Sequence, residues 1–345
     1  MIFVTGGTGL VGAHLLYSLV NSGREVTALK RNTANPEQTL KIFSYYSSRY
    51  EELFKRIRWA EGDVQDYFTL EDMLDGVEEV YHCAAMVSFN TSVRRKMLTN
   101  NVEGTANMVD AALYNGVKKF CHISSIASLG RTGNGFPVTE ETSWIPSKKH
   151  SGYSESKFYS ETVVWRGIEE GLNAVIVNPS LILGPGNWDN GSPKLFKAVN
   201  DGLQFYTKGV TGYVDVRDVV RAVILLMDDA NFENCKNQRY LLNSENKSFQ
   251  EIFSAIADEL NKKRPRFYAS GLVLGLAWRA AALGTIFTGR PPSITRDAVA
   301  NSNRKYNFDG SKIVREVKDF SYRSVSESIK EISAIFRTDQ KIADR

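Results

Sequence analysis

Residues 2–12 read IFVTGGTGLVG, and the fold of the chain is decided there. Ile2 to Thr5 form a short apolar run of strand type. Gly6, Gly9 and Gly12 follow at three-residue spacing, and Leu15, Leu16, Leu19 and Val20 then recur at helical intervals up to Gly23, a residue suited to the left-handed turn after a helix. A strand, a glycine-rich turn and a helix in that order have a physical use. Glycine accepts backbone angles closed to other residues and lets the main chain approach a pyrophosphate, while the helix start offers unpaired N–H groups and a partial positive charge. Position between a strand and a helix is what turns a glycine trio into a dinucleotide-binding signal. The loop residues expected to touch the dinucleotide are Gly6, Thr8, Gly9, Leu10, Val11 and Gly12.

Outward from this loop the chain keeps a strand-and-helix rhythm. REVTALKR (24–31), RIRWAEGD (56–63), VEEVYHCAA (77–85), KKFCHISS (118–125) and LNAVIVNPS (172–180) predict strands, and residues 100–116 and 154–170 predict helices between them. Alternation of this kind implies parallel βαβ units and an α/β, Rossmann-like doubly wound sheet. Residues 33–58 exceed a minimal crossover and predict a helix with a surface excursion. After Pro179 the rhythm loosens: GPGNWDNGSP (184–193) is turn-rich, YVDVRDVVRAVILLM (213–227) returns to strand then helix, and residues 244–345 predict mostly helix with a basic loop at KKRPR (262–266). The expected layout is a dinucleotide-binding domain over 1–178, joined again by 211–243, and a smaller, mostly helical substrate domain built from 179–210 and 244–345. No short-period repeat or low-complexity tract interrupts it.

Composition narrows the class. With 345 residues, 42% apolar and 24% charged, the chain is an ordinary globular sequence and not a disordered, collagenous or disulfide-scaffold one. Its 43 Lys plus Arg against 39 Asp plus Glu leave a net +4 without a polybasic run, which argues against nucleic acid as a partner and for small molecules. Cys83, Cys121 and Cys235 are too few and scattered for a disulfide framework or a zinc site, which suits a reducing, cytoplasmic setting; Cys83 and Cys121, in short apolar runs, read as buried small hydrophobes, and no metal is expected. The start lacks the pattern of an export signal, so export is not expected. The apolar stretch from Gly271 to Arg290 is interrupted by Arg279 and followed by Pro291 and Pro292, which predicts a helix in or over a ligand cleft instead of stable membrane insertion.

Two further sets of residues point to chemistry. Strand two ends in Lys30 and Arg31, where an NAD-binding chain would place a carboxylate for the ribose 2′-hydroxyl. Cations there would attract a 2′-phosphate, so NADP(H) is expected over NAD(H); the alternative is that both are solvated strand-end charges. Asp63, followed by Val64, is placed to accept from the adenine amino group, and Asp66 to cap the next helix. In YSESK, Tyr153 and Lys157 lie four apart and share one helix face. An ammonium beside a phenol lowers its pKa toward the working range, which lets tyrosine act as acid or base toward an alcohol or ketone. Ser125 in HISSIASLG could then hydrogen-bond the substrate oxygen. Blander readings hold elsewhere: His82 and His122 as packed strand-end residues, Asp215 and Asp218 as a strand-to-helix cap, and Trp144, Trp188 and Phe89 as either substrate contacts or core and lid residues.

With TGGTGLVG, GDVQD, HCAA, NNVEGT, HISSIASLG, YSESK and NPSLILGPG in this order, the sequence resembles the extended short-chain dehydrogenase/reductases of the NAD-dependent epimerase/dehydratase superfamily. Within them it looks most like the dihydroflavonol-reductase-like and 3β-hydroxysteroid-dehydrogenase-like members, strongly over residues 1 to about 230 and weakly beyond, through PPSITRDAV and KYNFDGSKI. The resemblance implies Tyr153 as catalytic acid/base, Lys157 as its pKa tuner and holder of the nicotinamide ribose, and Ser125 as donor to the substrate oxygen. Ser125 is preferred to Ser124 because Gly130 falls five residues later. It also implies Asn101 as support for a proton relay, with a structural helix-to-strand tie as the alternative, Ala84 and Ala85 along the cofactor near its ribose, and Pro179 at the nicotinamide edge. Lys30 departs from the NAD-specific pattern. The implied activity is NADP(H)-dependent hydride transfer to or from a carbonyl or secondary alcohol of a small, partly hydrophobic substrate, in a possible homodimer paired through the Tyr–Lys helix. Two rivals remain: a nucleotide-sugar epimerase or dehydratase with retained NAD, and a non-catalytic NADP-sensing regulator.

Overall fold

The computed structural model describes residues 1–88, 90–132, 135–147, 150–271 and 303–343. Seven strands, β1 (Ile2–Thr5), β2 (Val26–Lys30), β3 (Ile57–Glu61), β4 (Glu79–His82), β5 (Lys119–Ile123), β6 (Ala174–Pro179) and β10 (Gln238–Leu242), form one wholly parallel sheet in the order β10-β6-β5-β4-β1-β2-β3. Every residue of β1 and β6 is buried, as a parallel sheet covered on both faces requires. On one face pack α1 (Leu10–Asn21) and α8 (Val216–Met227), through Leu15, Leu16, Leu19, Val219 and Val223; on the other pack α4 (Tyr67–Met73), α5 (Arg94–Tyr114) and α6 (Gly152–Glu169), through Leu70, Met108, Val109 and Val164. The chain runs from β1 outward through β2 and β3, then returns to β4 on the other side of β1. This reversal opens a crevice at the carboxyl ends of β1 and β4, where doubly wound sheets bind ligands.

Residues 33–58 are helical as expected, with packing in place of a surface excursion. They form two helices, α2 (Glu37–Ser44) and α3 (Tyr50–Lys55), closed around a fully buried Phe43 whose ring meets Tyr17 at 5.4 Å and Phe54 at 5.8 Å edge to face. Aromatic area supplied from two other elements converts a polar-looking stretch into core. The remaining third adds small sheets to its helices. β7 (Leu181–Leu183) pairs parallel with β9 (Val210–Asp215), which pairs antiparallel with β11 (Glu245–Ser248), and β8 (Phe205–Tyr206) pairs with β12 (Phe267–Tyr268). So β10 joins the main sheet while β9 lies in a separate one. α10 (Phe249–Glu259) and α12 (Val325–Ala343) cover this second sheet through Ile252, Ile256, Ile329, Ile332 and Phe336, with α11 (Ser311–Glu316) against β10. The apolar stretch from residue 272 and the PPSITRDAV segment lie outside the described residues. Among those described, no helix is long and apolar enough to cross a membrane.

Candidate active site

The glycine loop is built for close backbone approach. Gly6 has φ +69°, and a Cβ on it would lie 2.6 Å from the Ala84 nitrogen, so only glycine lets β1 and β4 leave the sheet side by side. A Cβ on Gly12 would overlap the Gly6 carbonyl oxygen, which brings the first turn of α1 down onto the loop. The N-cap of α1, Gly9, has no side-chain cap, which leaves the N–H groups of the first turn, from Leu10 and Val11 onward, to an anion. This cradle fits a pyrophosphate. Two contacts that sequence reasoning missed brace it: Thr39 Oγ1 on α2 donates to the Gly7 carbonyl at 3.0 Å, and Thr5 Oγ1 accepts from Ala84 N at 3.2 Å. Ala84 is half-buried and Ala85 exposed at the exit of β4.

At the end of β2, Lys30 Nζ lies 2.5 Å from Glu61 Oε1, so its charge is shared with the neighbouring strand. Arg31 beside it is exposed and forms no ion pair among the described residues. Asp63 is half-buried and accepts from Gln65 N at 3.1 Å; Val64, next to it, is where α5 approaches through Gly104, whose added Cβ would lie 2.6 Å from the valine side chain. Asp66 caps α4 by accepting from Thr69 N.

Ser125 ends the stretch after β5 and caps the short turn Ile126–Ser128. It is half-buried, whereas Ser124 is buried and donates to Glu161 Oε2 at 2.7 Å. Of the two serines, Ser125 is the less buried and the one hydrogen-bonded to Tyr153. Tyr153 and Lys157 lie on the first turns of α6, whose start is fixed by Ser151 as N-cap. Tyr153 is hydrogen-bonded to Ser125, which pulls its phenol pKa down, but burial is the larger influence and raises it above 10. Lys157 is buried and donates to the Ile123 carbonyl at 2.9 Å; desolvation lowers its pKa to about 8 against the opposing pull of Cys83 and Glu161. Burial and the Ser125 hydrogen bond act on the phenol, and the Lys157 ammonium, one helical turn on, donates to a backbone carbonyl.

Asn101, buried on α5, accepts from Met86 N at 2.7 Å and donates to Met86 O at 2.9 Å and to Ser156 Oγ at 3.1 Å. It clasps the loop after β4 to α5 and α6, which is the geometry of a structural tie. Pro179 ends β6, buried beside β10. His82 is held between Thr5 Oγ1 at 2.9 Å and Thr105 Oγ1 at 3.1 Å and stacks on His122; burial lowers its pKa to about 3. Both histidines are packed residues. Asp215 caps α8 and pairs with Arg217, and Asp218 receives Arg323, so both are structural. Trp188 is core: it packs on Phe196 and Phe336, and its indole donates to Asp339 at 2.7 Å. Trp144 stacks between His150 and Phe158. Phe89 lies outside the described residues. The three cysteines are free, and burial pushes the Cys83 thiol up to about 12.

Set against known proteins, residues 2–240 match the model of the NAD dependent epimerase/dehydratase family. A Synechocystis protein with a provisional dihydroflavonol 4-reductase name is 29% identical over 91% of this chain and 88% of its own. Cinnamoyl-CoA reductase 1 of Petunia hybrida is 28% identical over 66% of this chain and 69% of its own. In structure, the dTDP-glucose 4,6-dehydratase DesIV of Streptomyces venezuelae, solved with NAD and TYD bound, superposes with a TM-score of 0.76 over 99% of this chain and 98% of its own, at 20% identity, a likeness of fold.

Proposed function

The chain belongs to the NAD dependent epimerase/dehydratase family and is an NAD(P)-dependent enzyme of the extended short-chain type, and from that premise we propose that it is an NADP(H)-dependent reductase of a carbonyl group on a small, partly hydrophobic molecule. The observation that carries this reading is the hydrogen-bonded pair of Tyr153 and Ser125 with Lys157 one helical turn on, its ammonium at the end of β5. The reductase names of the relatives support it. When bound, the nicotinamide supplies the hydride. The chain's own residues handle the proton and the charge: Tyr153 gives its phenolic proton to the substrate oxygen, Ser125 donates a hydrogen bond to that oxygen, and Lys157 holds positive charge beside them. A phenol raised by burial is protonated at neutral pH and so prepared to act as an acid. Asn101 takes part by fixing the loop after β4. Gly6, Thr8, Gly9, Leu10, Val11 and Gly12 hold the pyrophosphate, Asp63 and Val64 the adenine side, and Ala84, Ala85 and Pro179 the nicotinamide side. In this reading residues 1–178 and 211–243 carry the cofactor and 179–210 and 244–345 the substrate. The exposed Tyr114 and Tyr159 on α5 and α6 support a homodimer through those helices, and the free thiols suit the cytoplasm.

Arg31, exposed and without an ion pair among the described residues, supports the 2′-phosphate. One observation favours the rival with retained NAD: Glu61 pairs with Lys30 and places a carboxylate beside the same ribose position. Separate titrations with NADPH and NADH decide between them. NADPH should bind about tenfold or more tightly, and a Lys30→Ala, Arg31→Ala double variant should lose that preference, each lost phosphate contact being worth about 1 kcal/mol or more. Comparable affinity for both cofactors sinks the NADP(H) assignment.

A further inference from the structure

The face of α6 that carries Tyr153 and Lys157 carries a third functional group one turn later, Glu161, which is only 3% exposed. Its Oε2 lies 2.7 Å from Ser124 Oγ, 2.6 Å from Ser128 Oγ and 2.7 Å from Asn178 Nδ2. Its Oε1 receives Arg239 Nη1 at 3.1 Å and Trp165 Nε1 at 3.4 Å. Every one of these partners can donate, which is the environment of an ionised, acceptor-only carboxylate. A buried ion pair such as Glu161–Arg239 is a poor device for stability alone, since apolar residues of the same volume often serve as well. Its partners point to another use.

Ser124 precedes Ser125, Ser128 closes the turn that Ser125 opens, and Asn178 faces them from β6. Asn178 Nδ2 donates to the Ser125 carbonyl at 3.2 Å as well as to Glu161, and the Ser128 hydroxyl lies 2.7 Å from that carbonyl, its one proton going to either acceptor. One carboxylate thus grips the backbone on both sides of Ser125 while the Ser125 hydroxyl remains directed at Tyr153. The same carboxylate acts on Lys157. The groups facing that ammonium are the Cys83 thiol from the exit of β4, the neutral His82 and His122 from β4 and β5, the Ile123 carbonyl from β5 and, on its own helix, Glu161. Among them Glu161 brings a full negative charge.

We propose that Glu161 is the positioning residue of the site, locking the Ser124–Ser128 turn so that Ser125 meets Tyr153 and supplying the countercharge for the Lys157 ammonium. This rests on the reductase reading for its kinetic consequence but not for its electrostatic one. The direction is fixed by the physics: burial drives Lys157 toward the neutral amine and Glu161 opposes it, so loss of the carboxylate charge favours the neutral amine further.

The test is Glu161→Gln, which keeps the shape and removes the charge, with Glu161→Asp as the charge-preserving control. In the variant the carbon-13 shift of Lys157 Cε should titrate about half a pH unit or more below that of the wild-type protein. The kcat for carbonyl reduction should fall about tenfold or more while the cofactor Kd holds, and the alkaline limb of the kcat/KM profile should move to lower pH. Glu161→Asp should restore part of both. Ser128→Ala removes the hydroxyl that links the turn to Glu161 and to the Ser125 carbonyl while keeping a carboxylate at 161; it should lower kcat, and it keeps the idea testable should Glu161→Gln fail to fold. An unmoved Lys157 titration in a folded Glu161→Gln protein overturns the proposal, as does full kcat in Ser128→Ala. The NMR titration requires no turnover. A wild-type protein that reduces no carbonyl would therefore remove the reductase reading while the titration still judges Glu161.

Discussion

Gly12 shows how much of the site is backbone chemistry. Its missing side chain lets the first turn of α1 rest on the Gly6 carbonyl, an atom that is fixed by the Gly9 N to Gly6 O bond at 2.9 Å and cannot yield. Gly12→Ala should therefore lower cofactor affinity about tenfold or more and cost about 1–3 kcal/mol of stability; isothermal titration and urea unfolding read the two effects, and near-wild-type values for both would refute the close-approach argument. Residue-scale chemistry was partly legible in the sequence. The four-residue spacing of Tyr153 and Lys157 marks a shared helix face on paper, and the glycines mark the loop. Glu161 sits at the same spacing yet carries no signal, because glutamate on a helix is ordinarily solvated and only burial against Ser124, Ser128, Asn178 and Arg239 makes it exceptional. For the same reason the sequence could pair Lys157 with Tyr153 but could not foresee that the ammonium would turn to the Ile123 carbonyl.

Among the elements, α2 and α12 are joined by a buried carboxylate. Asp339 on α12, buried to 8% exposure, accepts from Tyr45 Oη at 2.6 Å and Trp188 Nε1 at 2.7 Å and pairs with Lys41 at 3.0 Å. This carboxylate fastens the C-terminal helix to the helix whose Thr39 braces the glycine loop. Asp339→Ala leaves a buried phenol and indole without their acceptor and should destabilise the fold by about 2–4 kcal/mol. A thermal shift of that size with Tyr153 chemistry intact is the expected result; unchanged stability would mean that the C-terminal helix is held by its apolar face alone. A helix could be read from residues 33–58, but neither its core packing nor this tie could, since Tyr17 and Asp339 come from elsewhere in the chain and local polarity gives no hint of them. Strands β1 and β6, by contrast, are apolar over most of their own length and announce themselves, whereas β10 (QRYLL) opens on polar residues and is not among the strands the sequence predicts.

At the scale of the molecule, the parallel sheet and its switch point follow from the alternating rhythm, whereas β7, β8, β11 and β12 are two to four residues long and gain their identity only from distant partners. Global stability should depend on pH through buried imidazoles. Burial lowers His14 to about 4 and His82 to about 3, and drives His122 well below 6.5, so below pH 6.5 the unfolded chain takes up protons that the folded one does not. Stability is thus intact above pH 6.5 and should fall as pH drops, by about 1.4 kcal/mol per pH unit for each histidine until its folded pKa is reached. Urea unfolding at pH 7, 6 and 5 measures this; a flat profile would contradict neutral burial. The central claim concerns the pocket itself, a protonated tyrosine delivering a proton while hydride passes from the dinucleotide to a carbonyl carbon. It is tested most directly by supplying NADPH deuterated at either face of nicotinamide C4 with a panel of ketones and aldehydes, and locating the label by mass spectrometry in wild-type and Tyr153→Phe protein. The account predicts deuterium on the new carbinol carbon with one cofactor oxidised per product, slowed about a hundredfold or more in Tyr153→Phe. Equal rates in both proteins, or substrate turnover without net cofactor oxidation, would contradict it.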